Sequence, residues 1–575
     1  MDTPFGQRLG VQTLQGAVHA VGDPFAQVLE RLQPGRRVRT QGIQSAARGY
    51  VLARLSRSLQ APLVCVAVDE EAADALAHDL AFFLGGSGTL LEPRVLRLPA
   101  DEVLPYDELS PEPTAISERL GTLFHLSQGT RFPALVLSMR ALLRKVLPPP
   151  VMHELSARVT VGQDFDRDSL ARKLASMGYQ SSPLVEDPGT FSVRGGILDV
   201  FSPLYERPVR LEFFGDTIES IRVFDPDTQR TVDSLKEVSL VPAREVMLTE
   251  QTRPRAESAA RAAADRINLP TIQLRERLDA LREGMPGFGL EGLMPGFFEG
   301  GLGTVFDYLR LWAKDPLFYF DDPVGLDRAA SDLWAELERT FEAAEERKDL
   351  SLPPPEHFLT RAQADAQLTS ARVLEGGGLA LTPTEQPPVL FSFGSTQDLR
   401  EAILAHHGEE GALTPLVERL QRWREMRVAC AIACGTLSQA DRLKRLLLDR
   451  NVMVRIHEEA IEDVGKLYEP SIYAHLFTGE VSHGFVDGSG GIAVLADEEI
   501  FGVRARRRVR RSKKLDAFAA GFKDLKEGDL IVHTDFGIGR YAGLTKMQVQ
   551  GVPGDFLVLE YAGKDKIYLP VSRMR

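Results

Sequence analysis

Cysteine is scarce: Cys65, Cys430 and Cys434 are the three in 575 residues. That excludes a disulfide framework of the kind that staples small secreted domains. Cys430 and Cys434 bracket Ala-Ile-Ala in an apolar stretch, where thiols serve as small core residues more often than as metal ligands. No apolar run approaches the roughly 20 residues that a membrane span requires, and the first residues lack a signal-peptide pattern. A cytoplasmic protein without membrane association is expected. Positive charge is not in excess either. The net charge is −13, so the surface as a whole is no nucleic-acid footprint.

Catalytic signals are also missing. There is no convincing triad and no metal-ligand spacing, and His406-His407 is a lone pair in a polar segment. A phosphate loop needs Gly-x-x-x-x-Gly-Lys-[Ser/Thr], because its backbone N–H groups cradle phosphate, its lysine reaches the β/γ oxygens and its hydroxyl holds magnesium. The nearest candidate, Gly42-Ile43-Gln44-Ser45-Ala46-Ala47-Arg48-Gly49, has Ala, Arg and Gly at the three chemical positions. No cofactor is therefore expected in this chain. Asp497-Glu498-Glu499 follows an apolar run without a base, metal ligand or phosphate loop, so it reads as a solvated strand end.

What is present is a multidomain α/β pattern, and 575 residues are too many for one core. Residues 1–154 alternate strands and helices, with Ala61–Val68 a continuous apolar strand suited to a parallel sheet. A sheet module spans 155–241, beginning with a helix that Asp166 caps and Gly178 ends. Residues 242–378 carry two charged helices, Arg253–Asn268 and Ala329–Arg347, and Phe297, Phe298 and Tyr308 read as core plugs. A small doubly wound α/β domain spans 379–503, with strands at Val428–Cys434, Val452–Ile456 and Gly491–Ala496. A basic linker covers 504–522, and 523–575 reads as a small β-barrel with strands at Asp529–His533, Arg540–Leu544, Phe556–Tyr561 and Lys566–Val571. The linker arginines, Arg506, Arg507, Arg508, Arg510 and Arg511 among them, suit a solvated spacer or phosphate contacts, and the two roles are compatible.

The sheet module carries the most informative stretch. Phe191–Phe201 is an apolar run with a Gly pair, which suits a bent or bulged strand. Val209, Leu211 and Phe213 alternate with Arg210, Glu212 and Phe214, and Gly215-Asp216 reverses the chain. An aromatic beside an arginine on the outer face has the composition of a protein-binding hot spot. A covered Phe beside a solvated Arg fits the pattern as well. Near the C-terminus, Lys546-Met547-Gln548 precedes a Gly-Val-Pro-Gly reversal, on an expected edge strand.

Three blocks carry a family resemblance. Val193-Arg194-Gly195-Gly196, Arg210–Phe214 and Val223-Phe224-Asp225-Pro226 resemble the UvrA-binding module that UvrB shares with the transcription-repair coupling factors. The resemblance implies that Arg194, Arg210 and Phe214 contact UvrA. Gly528-Asp529, His533–Tyr541, Asp555–Tyr561 and Tyr568–Val571 resemble the CarD-like RNA-polymerase-interacting module of the same factors. That implies contact with the polymerase β subunit through Met547, flanked by Lys546 and Gln548. Leu104–Pro111 resembles part of the family's degenerate helicase-like domain, which would take up 1–154 and 242–378 without binding ATP. The chain is thus identified as the N-terminal part of a transcription-repair coupling factor, joining polymerase to UvrA. The family's ATP- and magnesium-dependent translocase motor, and most DNA contact, would lie beyond Arg575. Two other functions remain open: a UvrB-type ATP-dependent repair helicase and a CarD-like transcription regulator.

Overall fold

The computed structural model describes residues 23–501 and 528–570, except 45, 86–93, 102, 108–112, 130–131, 283–289, 378–385, 406–412, 458–460, 462–466, 490, 534–536, 550–551 and 562–565. The first four strands, β1 (Arg37–Gln41), β2 (Leu63–Ala67), β3 (Val95–Leu98) and β4 (Ala134–Ser138), alternate with helices Ala47–Leu59, Glu70–Leu84 and Pro113–Ser127. All five residues of β2, Leu-Val-Cys-Val-Ala, are buried, as a parallel strand covered on both faces requires. Asp69 starts the second helix by accepting a hydrogen bond from the Ala72 N–H at 2.8 Å.

The chain then leaves this layer for the sheet module. Its strands are β5 (Ala157–Thr160), β6 (Gln180–Ser181), β7 (Thr190–Arg194), β8 (Ile197–Val200), β9 (Val209–Phe214), β10 (Thr217–Phe224), β11 (Thr231–Leu235) and β12 (Glu237–Leu240). Six of them form one sheet in the order β11-β10-β9-β8-β7-β6, while β5 and β12 pair antiparallel where the module joins the body. The helix Arg167–Ser176 is capped by Asp166, as its sequence indicates, and sets Leu170 and Leu174 against Leu198, Val209, Leu211 and Ile221. The Gly pair departs from expectation. Arg194 pairs with Ile197, so Gly195-Gly196 is a two-residue hairpin turn and not a bulge within one strand.

The module's exit is tied into the body by charge. Arg119 is almost wholly buried and donates from Nε to Glu245 at 2.7 Å and from Nη1 to Asp101 at 2.9 Å. Arg144 pairs with the same two carboxylates. Burial alone would raise the Asp101 carboxyl, but the two guanidiniums outweigh it and hold it below its ordinary value. Removing one member of such a cluster costs about 3–5 kcal/mol, because the remaining charges stay buried.

Back in the body, β13 (Leu317–Asp321), β14 (Arg372–Gly377) and β15 (Val389–Leu390) complete a seven-stranded parallel sheet in the order β15-β1-β14-β13-β2-β4-β3. Phe297 and Tyr308 are fully buried and Phe298 nearly so, all in the core beneath it. The next sheet comprises β16 (Phe393–Ser395), β17 (Ala429–Cys434), β18 (Val454–His457), β19 (Ala474–Thr478), β20 (Phe485–Asp487) and β21 (Ile492–Ala496), ordered β16-β20-β21-β17-β19-β18. Three helices, Gln397–Ala405, Thr414–Glu425 and Leu437–Leu448, pack on the face carrying Cys430, Ile432 and Cys434. Ala429, Ala431, Phe477 and Phe485 face the other way, onto Tyr50, Phe82 and Phe83 of the first domain. Asp79 crosses that boundary, accepting from the Ser482 N–H at 2.7 Å and the Ser482 hydroxyl at 2.8 Å. The last strands are β22 (Leu530–His533), β23 (Gly537–Val549), β24 (Val552–Glu560) and β25 (Lys566–Pro570), antiparallel in that order. β23 runs past the expected end at Leu544, since Thr545–Val549 pairs with Val552–Phe556 of β24.

Buried His357 and a histidine pair, His475 buried beside half-buried His457, contribute to acid sensitivity. His457 Nε2 and His475 Nδ1 are 2.8 Å apart, and the His457 ring stacks 4.7 Å from Phe477. Burial, then repulsion from His457, pushes His475 down to about 4 from its ordinary 6.5. Between those values the unfolded chain takes up a proton that the folded chain refuses, so stability falls as pH drops through the window, by up to about 1.4 kcal/mol per pH unit for one proton. Urea midpoints measured from pH 7 to pH 4.5 will decline, and His475→Gln will decline less steeply; parallel curves would rule His475 out as a cause.

Candidate functional site

Two tight turns build the outer face of the module. Gly195 and Gly215, with φ of +56° and +62°, each occupy the first position of a two-residue hairpin loop, a conformation that side chains with a Cβ resist. The registers they fix place Ser192, Asp199, Arg210 and Arg222 in one row across β7–β10. Arg194, Ile197, Glu212 and Ser220 form the next row. The intervening row, Leu198, Leu211 and Ile221, faces the core.

Arg194, Arg210 and Phe214 therefore share the outer face but differ in exposure. Phe214, beside the hairpin turn, is 81% exposed, and among the described residues no helix covers it. Arg210 is not the open cation that strand alternation suggests. Its side chain is 19% exposed, and it donates from Nε and Nη2 to the two carboxylate oxygens of Asp199 at 2.7 and 2.9 Å. The same guanidinium lies 4.7 Å from the Phe224 ring centroid, over a small apolar cluster with Val185 and Phe201. The Asp199 hydrogen bonds raise the Arg210 pKa further, so its charge is permanent. Arg194 is half exposed and donates from Nη2 to Asp199 at 2.8 Å. Glu212 accepts from the Ser220 hydroxyl at 2.5 Å and pairs with Arg222 at 3.1 Å. Asp199 is the residue that sequence reasoning missed. The signal was an aspartate within the apolar run Ile197–Val200, in phase with Arg210 across the sheet.

The place of the phosphate loop, between β1 and the helix Ala47–Leu59, is occupied by the protein itself. Arg48 forms an ion pair with Asp321 at the end of β13, and the Tyr319 hydroxyl donates to the other Asp321 oxygen at 3.0 Å. A Cβ at position 49 would come within 2.7 Å of the Asp79 backbone. Burial raises the Asp321 carboxyl even against the pull of Arg48.

Glu499 overturns the reading of its acidic run as a solvated strand end. It is buried and accepts from Thr396 Oγ1 at 2.7 Å, the Ala496 N–H at 2.9 Å and the Gly484 N–H at 3.0 Å. The carboxylate staples three segments together. Among the described residues no group of three or more His, Cys, Asp or Glu side chains is placed to hold a metal ion. Burial pushes the Cys434 thiol up to about 12, and Cys430 is likewise raised and buried. Among the described residues no helix is long and apolar enough to cross a membrane.

Lys546, Met547 and Gln548 lie in β23, opposite Asp555, Gly554 and Pro553 of β24. β22 reaches only Gly537–Arg540, so among the described residues this end of β23 has strand pairing on one side alone. Arg506, Arg507, Arg508, Arg510 and Arg511 lie outside the described residues, as do His406 and His407.

Comparison with known proteins assigns both regions. Residues 157–246 match the UvrB interaction domain, and residues 525–575 match the CarD-like/TRCF RID domain. The chain is 77% identical to a transcription-repair-coupling factor of Myxococcus xanthus, over 96% of its own length and 46% of that relative's. It is 28% identical to the Escherichia coli factor over 92% of the chain and 44% of the relative. With the Bacillus subtilis factor it shares 24% identity, over 96% and 46%. The chain thus spans about half the length of the curated relatives it matches.

The filled loop gives a direct test. Gly49→Ser lowers the melting temperature, since overpacking against backbone costs about 1–3 kcal/mol. Rebuilding the motif with Ala47→Gly, Arg48→Lys and Gly49→Ser yields no saturable heat with ATP and magnesium in calorimetry; measurable binding would show that the loop's residues, and not its packing, are the obstacle.

Proposed function

Since this chain belongs to the transcription-repair-coupling factor family and corresponds to its N-terminal part, we propose that it tethers RNA polymerase to the excision-repair protein UvrA. The observation that carries this reading is the pairing of two adhesive elements on one chain. One is a sheet face with an uncovered Phe214 beside two arginines, inside the region that matches the UvrB interaction domain. The other is the one-sided end of β23, inside the region that matches the CarD-like/TRCF RID domain.

Each element suits its role physically. Seating an exposed Phe in a partner's socket contributes about 1.5–3 kcal/mol, and arginines already held in place lose little freedom on binding. A strand with one free edge can accept a strand from a partner sheet, and we assign that partner to the polymerase β subunit, with Lys546, Met547 and Gln548 at the contact. ATP-driven movement on duplex DNA, with its ATP and magnesium, we assign to the part of the relatives that this chain does not span. The linker arginines Arg506–Arg511 would add phosphate contacts, and the complex would act in the cytoplasm. A UvrB-type helicase does not account for the C-terminal match, and a CarD-like regulator leaves the exposed Phe214 face without a use.

Arg194→Ala or Arg210→Ala combined with Phe214→Ala will weaken UvrA binding at least tenfold and leave polymerase binding intact, measured by pull-down and calorimetry with each partner separately. Equal loss of both, or of neither, would count against the assignment. Met547→Arg will do the converse, because a charge forced into an apolar contact costs about 1–3 kcal/mol or more; normal β-subunit binding by that variant would remove Met547 from the contact.

A further inference from the structure

The two arginines assigned to the UvrA contact do not stand on the sheet independently. Asp199, fully buried in β8, sits between Arg194 on β7 and Arg210 on β9. Its Oδ1 accepts from Arg210 Nε at 2.7 Å, and its Oδ2 accepts from Arg210 Nη2 at 2.9 Å and Arg194 Nη2 at 2.8 Å. Two like charges are thereby drawn together by a single carboxylate. Neither would stay there alone, since each long side chain gains freedom and hydration by swinging into water. The Phe224 ring closes off the inner face of the Arg210 guanidinium. What remains for a partner is the outward N–H groups of each arginine, in a fixed relation to each other and to Phe214.

We propose that Asp199 is a positioning residue for partner recognition. It converts two flexible cations into one rigid fork, aimed at a pair of hydrogen-bond acceptors on the partner, carboxylate or carbonyl oxygens, beside the socket that takes Phe214. The inference rests on the assignment of this face to UvrA. It gives Arg210 a role that charge alone cannot fill: its planar fork spans both Asp199 oxygens, and a lysine offers only a point charge.

The sign of one substitution separates positioning from simple attraction. Asp199→Asn removes a negative charge from the face, so a contact driven by net positive charge would hold or tighten. Positioning requires the opposite, a roughly tenfold or greater loss of UvrA affinity from freeing two rotamer-rich side chains. Polymerase binding and the melting transition of the chain report whether the fold survives. Should Asp199→Asn unfold the module, Arg210→Lys carries the test without emptying the carboxylate site. It is expected to bind UvrA as weakly as Arg210→Ala does. Arg210→Lys binding like the unaltered chain would overturn the inference, as would a folded Asp199→Asn with undiminished affinity. If Arg194→Ala and Phe214→Ala themselves leave UvrA binding unchanged, it is the assignment of the face to UvrA that fails.

Discussion

A guanidinium with no access to water has to be neutralised within the protein, and Arg119 imposes that constraint where the sheet module meets the body. It sits on the helix Pro113–Ser127 and holds Asp101, from the segment after β3, together with Glu245, which lies just beyond the last strand of the module. Arg144 completes a cluster of two cations and two anions in which each charge has partners. Such a cluster adds little net stability, because desolvation offsets most of its attraction. Its effect is on geometry. Glu245 can satisfy Arg119 in one position only, so the end of the module is pinned to the body, and the β5–β12 pair fixes the approach. The outer sheet face is held out from a rigid base.

The same principle, a buried carboxylate organising cations or segments around it, recurs at each critical place. Asp199 does it for the two arginines of the sheet face. Asp321 does it for Arg48, filling a position where other α/β proteins admit a phosphate. Asp79 does it with neutral donors across the boundary between the first domain and the small α/β domain, and Glu499 does it within the small domain. Between these polar staples lie aromatic contacts such as Tyr50 to Phe485, with ring centroids 5.6 Å apart, that make the two domains share a core.

How much of this the sequence disclosed follows from the range of each interaction. Local signals were readable: the Asp166 cap, the buried β2 run, the alternation that puts Phe214 opposite Phe213, and the turn at Gly215. β13 and β14 were not, because Leu-Phe-Tyr-Phe-Asp and Arg-Val-Leu-Glu-Gly-Gly lack both clean alternation and a pure aliphatic run. Nor was the true length of β23, whose second half is specified by its partner β24. The pairs that join the domains and fill the loop are distant in sequence. Arg119 and Glu245 are 126 residues apart, Arg48 and Asp321 are 273 apart, and no periodicity connects them. Even Asp199 and Arg210, only 11 apart, look like a lone acid in an apolar run and a lone base on an outer face until the register joins them.

The β5–β12 ladder also makes the module a self-contained insertion in the chain. Ala157 and Leu240 face each other across it, the point of entry beside the point of departure, within the roughly 5 Å of an antiparallel pair. The chain therefore enters and leaves the module at adjacent points, two ends that a residue or two could join. A segment with that topology is a cassette. Its two connections to the body run side by side through that one ladder.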